Sequence, residues 1–294
     1  MSTEKNIDRI VRTIDSIPTL PVISMQIEKL FRNENVSTRQ IEDLIQHDPP
    51  LATKLLKLVN SSFYGLINKV STIDHALIIL GFNEVRNVAL GFAIQNHFTP
   101  SSKSFDPKRF WKHSIICSQI AKFLGKHFNM VDDGTFFLSG LIHDIGKLVI
   151  DQYFKDEFAA IIDYIEVHKS SFSKAEKEIL GVTHYQIAAK LLQQWHFPRK
   201  VIMQIFYHHA PWYDKNFTSG SIILYLANIL TKISGYTCFE KEKEVADSDI
   251  MKPGTLEYLN KNGFELDEVS LKKLQNLINE CITAESDNVL KIFD

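Results

Sequence analysis

Cysteine is scarce in this chain, with three in 294 residues. Cys117, Cys238 and Cys281 are odd in number and far apart, which excludes a disulfide scaffold and points to a reducing compartment, the cytoplasm. Long apolar runs are missing too. No window approaches the roughly 20 residues of a membrane span, and the polar start Met1-Ser2-Thr3-Glu4-Lys5-Asn6 has no signal core. Neither charge sign is in marked excess, since 33 Lys and Arg against 35 Asp and Glu leave a formal charge of -2. That balance gives no overall attraction to nucleic acid or to anionic membrane; either partner needs a local patch, and none stands out. Alternation of apolar and polar residues long enough to insist on a strand is absent as well, so the expected fold is all-α.

Helical periodicity covers almost everything else. One helix is expected from Pro21 to about Phe31 and another from Arg39 to Ile45. Asp48 before Pro49-Pro50 reads as an N-cap with proline in the first turn of a helix running to Val59. Ser71 and Asp74 have capping-box spacing ahead of a helix from His75 to Leu80, which Gly81 ends. A further helix follows near Asn83 to His97. The small polar run Pro100 to Ser104 reads as a linker. The expected division is therefore 1–105, an N-terminal helical subdomain; 106–235, a second helical subdomain; and 236–294, a C-terminal appendage. The second begins with a helix from Arg109 to Phe128, continues with one from Asp133 to Ile150, and has Ser173 and Glu176 at capping-box spacing. Thr183 caps the next helix and Pro198 opens one ending at His208-His209. Glu240 to Glu244 reads as a solvated loop or helix start, and Leu266 to Ile282 as a last amphipathic helix.

The chemistry-bearing residues lie in the second part. His143 and Asp144 are adjacent within the apolar stretch Leu141 to Lys147, with His113 upstream and His184, His208 and His209 downstream. Imidazole and carboxylate together suit iron, zinc, manganese or nickel, and a carboxylate beside a histidine can serve one ion or two. Asn228 stands where such a centre is expected to close with an Asp, so one anionic ligand is replaced by a neutral carbonyl oxygen. The alternative is that the histidines are buried polar residues satisfying one another and the backbone. His47-Asp48 is a second His-Asp pair, assigned to capping. Asn60, Ser61 and Ser62 can line a groove or simply form a helix-ending turn. Cys117, among Ile115, Ile116 and Ile120, reads as a buried structural thiol.

These motifs resemble those of a known family. Leu20-Pro21, Asp48-Pro49, Asn60 to Gly65 and Ala76 to Gly81 are similar to the first half of the HDOD family, bacterial regulatory relatives of the HD phosphohydrolases. Phe110 to His113, His143 to Lys147, His184 with Leu191 to Trp195, then Pro198 and His208-His209 follow the same family's order, so the resemblance spans residues 15 to 235. It implies a multi-helix HDOD architecture in which the HD-like half carries the cluster. HDOD domains resemble degenerate HD domains without established catalysis and occur in bacterial signalling and stress-response proteins. The related HD-GYP phosphodiesterases match at His113, His143, Asp144, Lys147, His184, His208 and His209, but this chain has Ala210-Pro211 after the His pair and no Gly-Tyr-Pro motif. The resemblance implies a signalling or regulatory module whose pocket binds metal or a phosphorylated ligand, with a signalling protein as a further partner. If it turns over, the activity expected is metal-dependent hydrolysis of a cyclic dinucleotide or nucleotide, with Asp144 and Lys147 acting catalytically. A protein-interaction module with a vestigial pocket is the third reading.

Overall fold

Helices account for nearly all regular structure in the computed structural model, which describes residues 2–17, 25–27, 37–61, 64, 66, 68–95, 97–98, 101–102, 105–240 and 245–283. No strand occurs among the described residues, as the missing alternation predicts. Most of the helix expected over residues 21–31 lies outside them, as do Ser62, Pro100 and residues 241–244.

The first part contributes α1 (Ser2–Ser16), α2 (Thr38–Gln46), α3 (Pro49–Val59), α4 (Ile73–Leu80) and α5 (Phe82–Gln95). Local chemistry sets their starts. Asp48 caps α3 by accepting from the Leu51 amide at 3.1 Å, as expected. The α4 cap is Thr72 rather than Ser71: its hydroxyl accepts from His75 N at 3.2 Å. Starting there buries Ile73, Ala76 and Leu77 on one face, and that burial decides the register. Asn60 closes the loop after α3 by exchanging two 2.7 Å bonds with the backbone of Val70. It is a structural clamp.

The second part holds α6 (Pro107–His127), α7 (Thr135–Ile142), α8 (Ile145–Tyr153), α9 (Lys155–His168), α10 (Phe172–Ile179), α11 (His184–Gln194), α12 (Arg199–Tyr207) and α13 (Thr218–Ile233). Helix α6 is buried on all sides from His113 to Ala121, and it packs between α7 and α13 as the central element. Cys117 is fully buried on it, and burial pushes its thiol up, so the structural role expected of it holds. Every residue of α7 is buried. Ser101 and Ser102, in the expected linker, are tied to α8: the Asp151 carboxylate accepts from both their amides, at 2.7 and 3.1 Å. Beyond α13 come α14 (Asp247–Ile250), α15 (Pro253–Lys261) and α16 (Glu268–Thr283), the last close to its expected bounds. One connected apolar cluster runs from Ile10 to Ile282.

Candidate metal centre

The helix expected from Asp133 to Ile150 is two helices, and the break is at His143-Asp144. At φ -97°, ψ 8°, Asp144 leaves the α-helical region, and its carbonyl accepts from Lys147 N at 2.8 Å to start α8. The break points both side chains into the interior instead of setting them about 100° apart on one helix. Two glycines make room. A Cβ on Gly140 would sit 2.5 Å from Ser118 Cα on α6, and one on Gly146 would sit 2.0 Å from the His184 carbonyl oxygen. Only glycine allows α7 and α8 to approach His113 and His184 this closely.

Around that junction the sequence candidates converge. His113 comes from the second turn of α6, His184 from the first turn of α11, and His208-His209 from the end of α12. His113, His143 and Asp144 form one group whose donor atoms all lie within 4.8 Å of one another; His184, His208 and His209 form a second. Asp144 lies between them. Its Oδ2 is 3.2 Å from His143 Nε2 and 3.7 Å from His113 Nε2, and its Oδ1 is 3.2 Å from His184 Nε2 and 3.9 Å from His208 Nε2. His113, His143, Asp144, His184 and His208 are buried and His209 is partly so.

The ring orientations are set from behind. His113 Nδ1 donates to Tyr236 O at 2.7 Å, His143 Nδ1 to Gly140 O at 2.8 Å, and His208 Nδ1 to Ile205 O at 2.6 Å. A carbonyl can only accept, so Nδ1 carries the hydrogen and Nε2 of each neutral ring is a bare lone pair. His184 Nδ1 lies 2.8 Å from Glu176 Oε2, and the same carboxylate accepts from the His184 amide at 2.9 Å. This is the outer-shell arrangement that orients metal-ligating histidines. Its consequence is that the Nε2 lone pairs of His113 and His143 face each other. His113 Nε2 and His143 Nε2 are 3.3 Å apart, and His184 Nε2 stands 3.2 Å from His209 Nε2 as well as from Asp144 Oδ1. Asp144 Oδ1, His208 Nε2 and Asn228 Oδ1 are buried without a hydrogen-bond partner. Donors so arranged fit a cation.

Electrostatics favour the neutral ring at His113, His208 and His209. Burial, aided by His143, lowers the His113 imidazole to about 3, and burial holds His208 and His209 well below the usual range. Burial alone would raise the Asp144 carboxyl, but His143 and Lys147 outweigh it and hold it well below the carboxylate range. For His184, burial works downward while Glu176 and Asp144 raise it above the ordinary value. Lys147 is only 1% exposed. Its ammonium sits 2.7 Å from Asp144 Oδ2 and over the Phe172 and Phe239 rings, turned inward rather than to solvent.

Several contributors escaped the sequence. Glu176, expected in a capping box with Ser173, instead serves His184, and α10 is capped by Ser171 through Lys174 N. Tyr236 supplies the carbonyl behind His113, and Cys238 Sγ lies 3.1 Å from Asp144 Oδ2. No spacing marks either, because Tyr236 is 123 residues from His113 and Cys238 is 94 from Asp144. Asn228 is buried on α13 as an amide, as the sequence has it.

The sequence model of the HDOD domain matches residues 17–211. An uncharacterised Treponema pallidum protein is 27% identical over 212 residues, which are 70% of this chain and 40% of that protein. Bacillus subtilis YuxH, likewise uncharacterised, is 27% identical over 118 residues, 40% of this chain and 28% of its own length. The chain thus spans less than half the length of these curated relatives. Among solved structures, a Geobacter sulfurreducens HDOD domain protein of unknown function superposes with a TM-score of 0.75 at 19% identity, covering 97% of both chains. A Shewanella amazonensis protein provisionally called a phosphohydrolase gives 0.73 at 22%, covering 97% of this chain and 98% of that one. A Marinobacter aquaeolei protein provisionally assigned to signal transduction gives 0.72 at 24%, covering 99% and 66%. At these identities the likeness is one of fold.

Proposed function

The chain belongs to the HDOD family, and from that premise we propose that it is a bacterial regulatory module, cytoplasmic in setting, whose buried centre holds one or two divalent ions. His113, His143, Asp144, His184, His208 and His209 would hold them. The observation that carries the reading is the pair of Nε2 lone pairs of His113 and His143, 3.3 Å apart, each fixed by an Nδ1 hydrogen bond from behind its ring, with Asp144 Oδ2 3.2 Å from His143 Nε2. Such contacts repel unless a cation lies between them, and iron, zinc, manganese and nickel all accept this donor set. A bound ion supplies Lewis acidity toward a phosphoryl oxygen and lowers the pKa of a coordinated water.

Binding is favoured over turnover for two reasons. Asn228 gives the centre one negative charge fewer, and Lys147 is buried against Asp144 rather than presented to a substrate phosphate. The partner is then a signalling protein or a phosphorylated small ligand. Of the three structural relatives, the one assigned to signal transduction accords with a regulatory role, and the one called a phosphohydrolase accords with a phosphorylated ligand. Elemental analysis of untagged protein purified without chelators tests it. At least one ion per chain is expected, falling several-fold in His143→Ala and in Asp144→Ala. Metal far below one per chain in the unsubstituted protein would overturn it. Hydrolysis of cyclic or linear dinucleotides that disappears in His143→Ala would replace the regulatory reading with the phosphohydrolase one.

A further inference from the structure

The first two turns of α6 and the segment following α13 enclose a cavity of about 290 Å³. Lys108, Arg109 and Lys112 line it from α6, and Tyr236 and Thr237 from the later segment. His113 is the fully buried member of the lining, so the cavity leads from the surface toward the histidine centre.

Three cations within five residues face this one space in a chain whose formal charge is -2. Asp106, the acid in the lining, caps α6: its Oδ1 accepts from the Lys108 and Arg109 amides at 2.9 and 3.2 Å. Even with its charge counted, the lining carries a net charge of +2, three cations less one carboxylate. The Arg109 and Lys112 heads rest on neutral groups. Arg109 donates to the Thr237 hydroxyl at 3.2 Å, and the Lys112 ammonium lies 4.9 Å from the centre of the Tyr236 ring. Neutral partners orient a cation without cancelling its field, and a concave wall concentrates that field. The basic patch lies within five residues of α6, and the segment after α13 supplies the neutral wall against it.

We propose that this cavity is a binding site for a mononucleotide, with Arg109 and Lys112 holding its phosphate and Tyr236 flanking its base. An arginine fork and two ammonium groups match a phosphate dianion in charge and geometry better than they match a single carboxylate. The volume lies at the bottom of the roughly 300 to 1,000 Å³ range of small-molecule sites. It accommodates one nucleotide unit. Tyr236 joins the two sites, since its ring lines the cavity while its carbonyl holds His113. The proposal deepens the phosphorylated-ligand part of the functional reading, but the cavity's own charges, and no metal ion, carry it.

Isothermal titration calorimetry of the full chain with GMP, AMP and guanosine, on chelator-treated and metal-supplemented samples of known metal content, is the test. Saturable binding of a monophosphate is expected in both samples, with guanosine at least tenfold weaker than GMP. Arg109→Ala and Lys112→Ala are each expected to weaken GMP at least tenfold, with helicity checked by circular dichroism. Lys108→Ala, at an exposed position, keeps the test decisive if either of those unfolds. Lys177→Ala, at an exposed position on α10 outside both the cavity and the histidine centre, retains GMP binding. No saturable binding of either monophosphate, or equal GMP affinity in the Arg109, Lys112 and Lys108 variants, overturns the proposal while leaving the metal reading to its own assay. Failure of the metal assay with GMP binding intact separates the two in the other direction.

Discussion

An amide and a carboxylate have nearly the same shape but differ by a unit of charge, and we propose that at position 228 that difference sets how strongly the centre holds a cation. Asn228 is 3% exposed, and its Oδ1 has no hydrogen-bond partner. Asn228→Asp is expected to tighten divalent metal by roughly tenfold or more, since each added anionic ligand deepens a cation site. The same change should destabilise the metal-free protein, because a buried carboxylate without a cation costs several kcal/mol, of order 1 to 3 or more. Competition with a fluorescent chelator and thermal melts of both forms measure the two effects. Equal affinity in both proteins would mean that residue 228 does not reach the metal. At this scale the sequence was informative: His113, His143, Asp144, His184 and His208-His209 could be named, because residue type limits ligand chemistry. It could not supply Glu176, whose role depends on an eight-residue return past Gly181 that brings His184 back over α10.

Among the elements, the approach of α8 to α11 is the tightest constraint. The Cβ of an alanine at position 146 would lie 2.0 Å from the His184 carbonyl oxygen, a backbone atom that cannot swing aside. Gly146→Ala is therefore expected to destabilise the fold by about 1 to 3 kcal/mol and to displace His184 from the centre, so that metal content falls with stability. Urea unfolding alongside elemental analysis reads both; a variant with unchanged midpoint and full metal content would show that α8 and α11 can separate freely. Helix positions were legible wherever caps and periodicity agreed, as at Asp48 and in α16. The continuous helix expected from Asp133 to Ile150 fails because apolar periodicity persists through His143-Asp144. What divides it is the demand that both side chains face inward, and a pattern of apolar residues does not record that.

For the whole molecule, ligands drawn from α6, α7, α8, α11 and α12 mean that a bound ion cross-links much of the second part. Metal should stabilise the folded chain by about 2.7 kcal/mol at a free concentration one hundred times its dissociation constant. A chelator is accordingly expected to lower the melting temperature by several degrees in the unsubstituted protein and to leave His143→Ala nearly unmoved. Equal shifts in both would place the stabilising ion elsewhere. The division at 105 and 235 is a further proposal at this scale, to be checked by whether 106–235 folds when expressed alone. Contacts of Tyr236 and Cys238 with His113 and Asp144 tie the later segment to that unit. No described helix is long and apolar enough to cross a membrane. The sequence by itself determined the helical class, the family resemblance and the ligand types, because periodicity, motif order and side-chain chemistry are local properties. Only the tertiary structure decided which nitrogen of each ring faces inward, that Lys147 is buried, and that Lys108, Arg109 and Lys112 meet Tyr236 across a cavity. Each of those depends on groups remote in the chain being held within a few ångströms, and packing alone sets such distances.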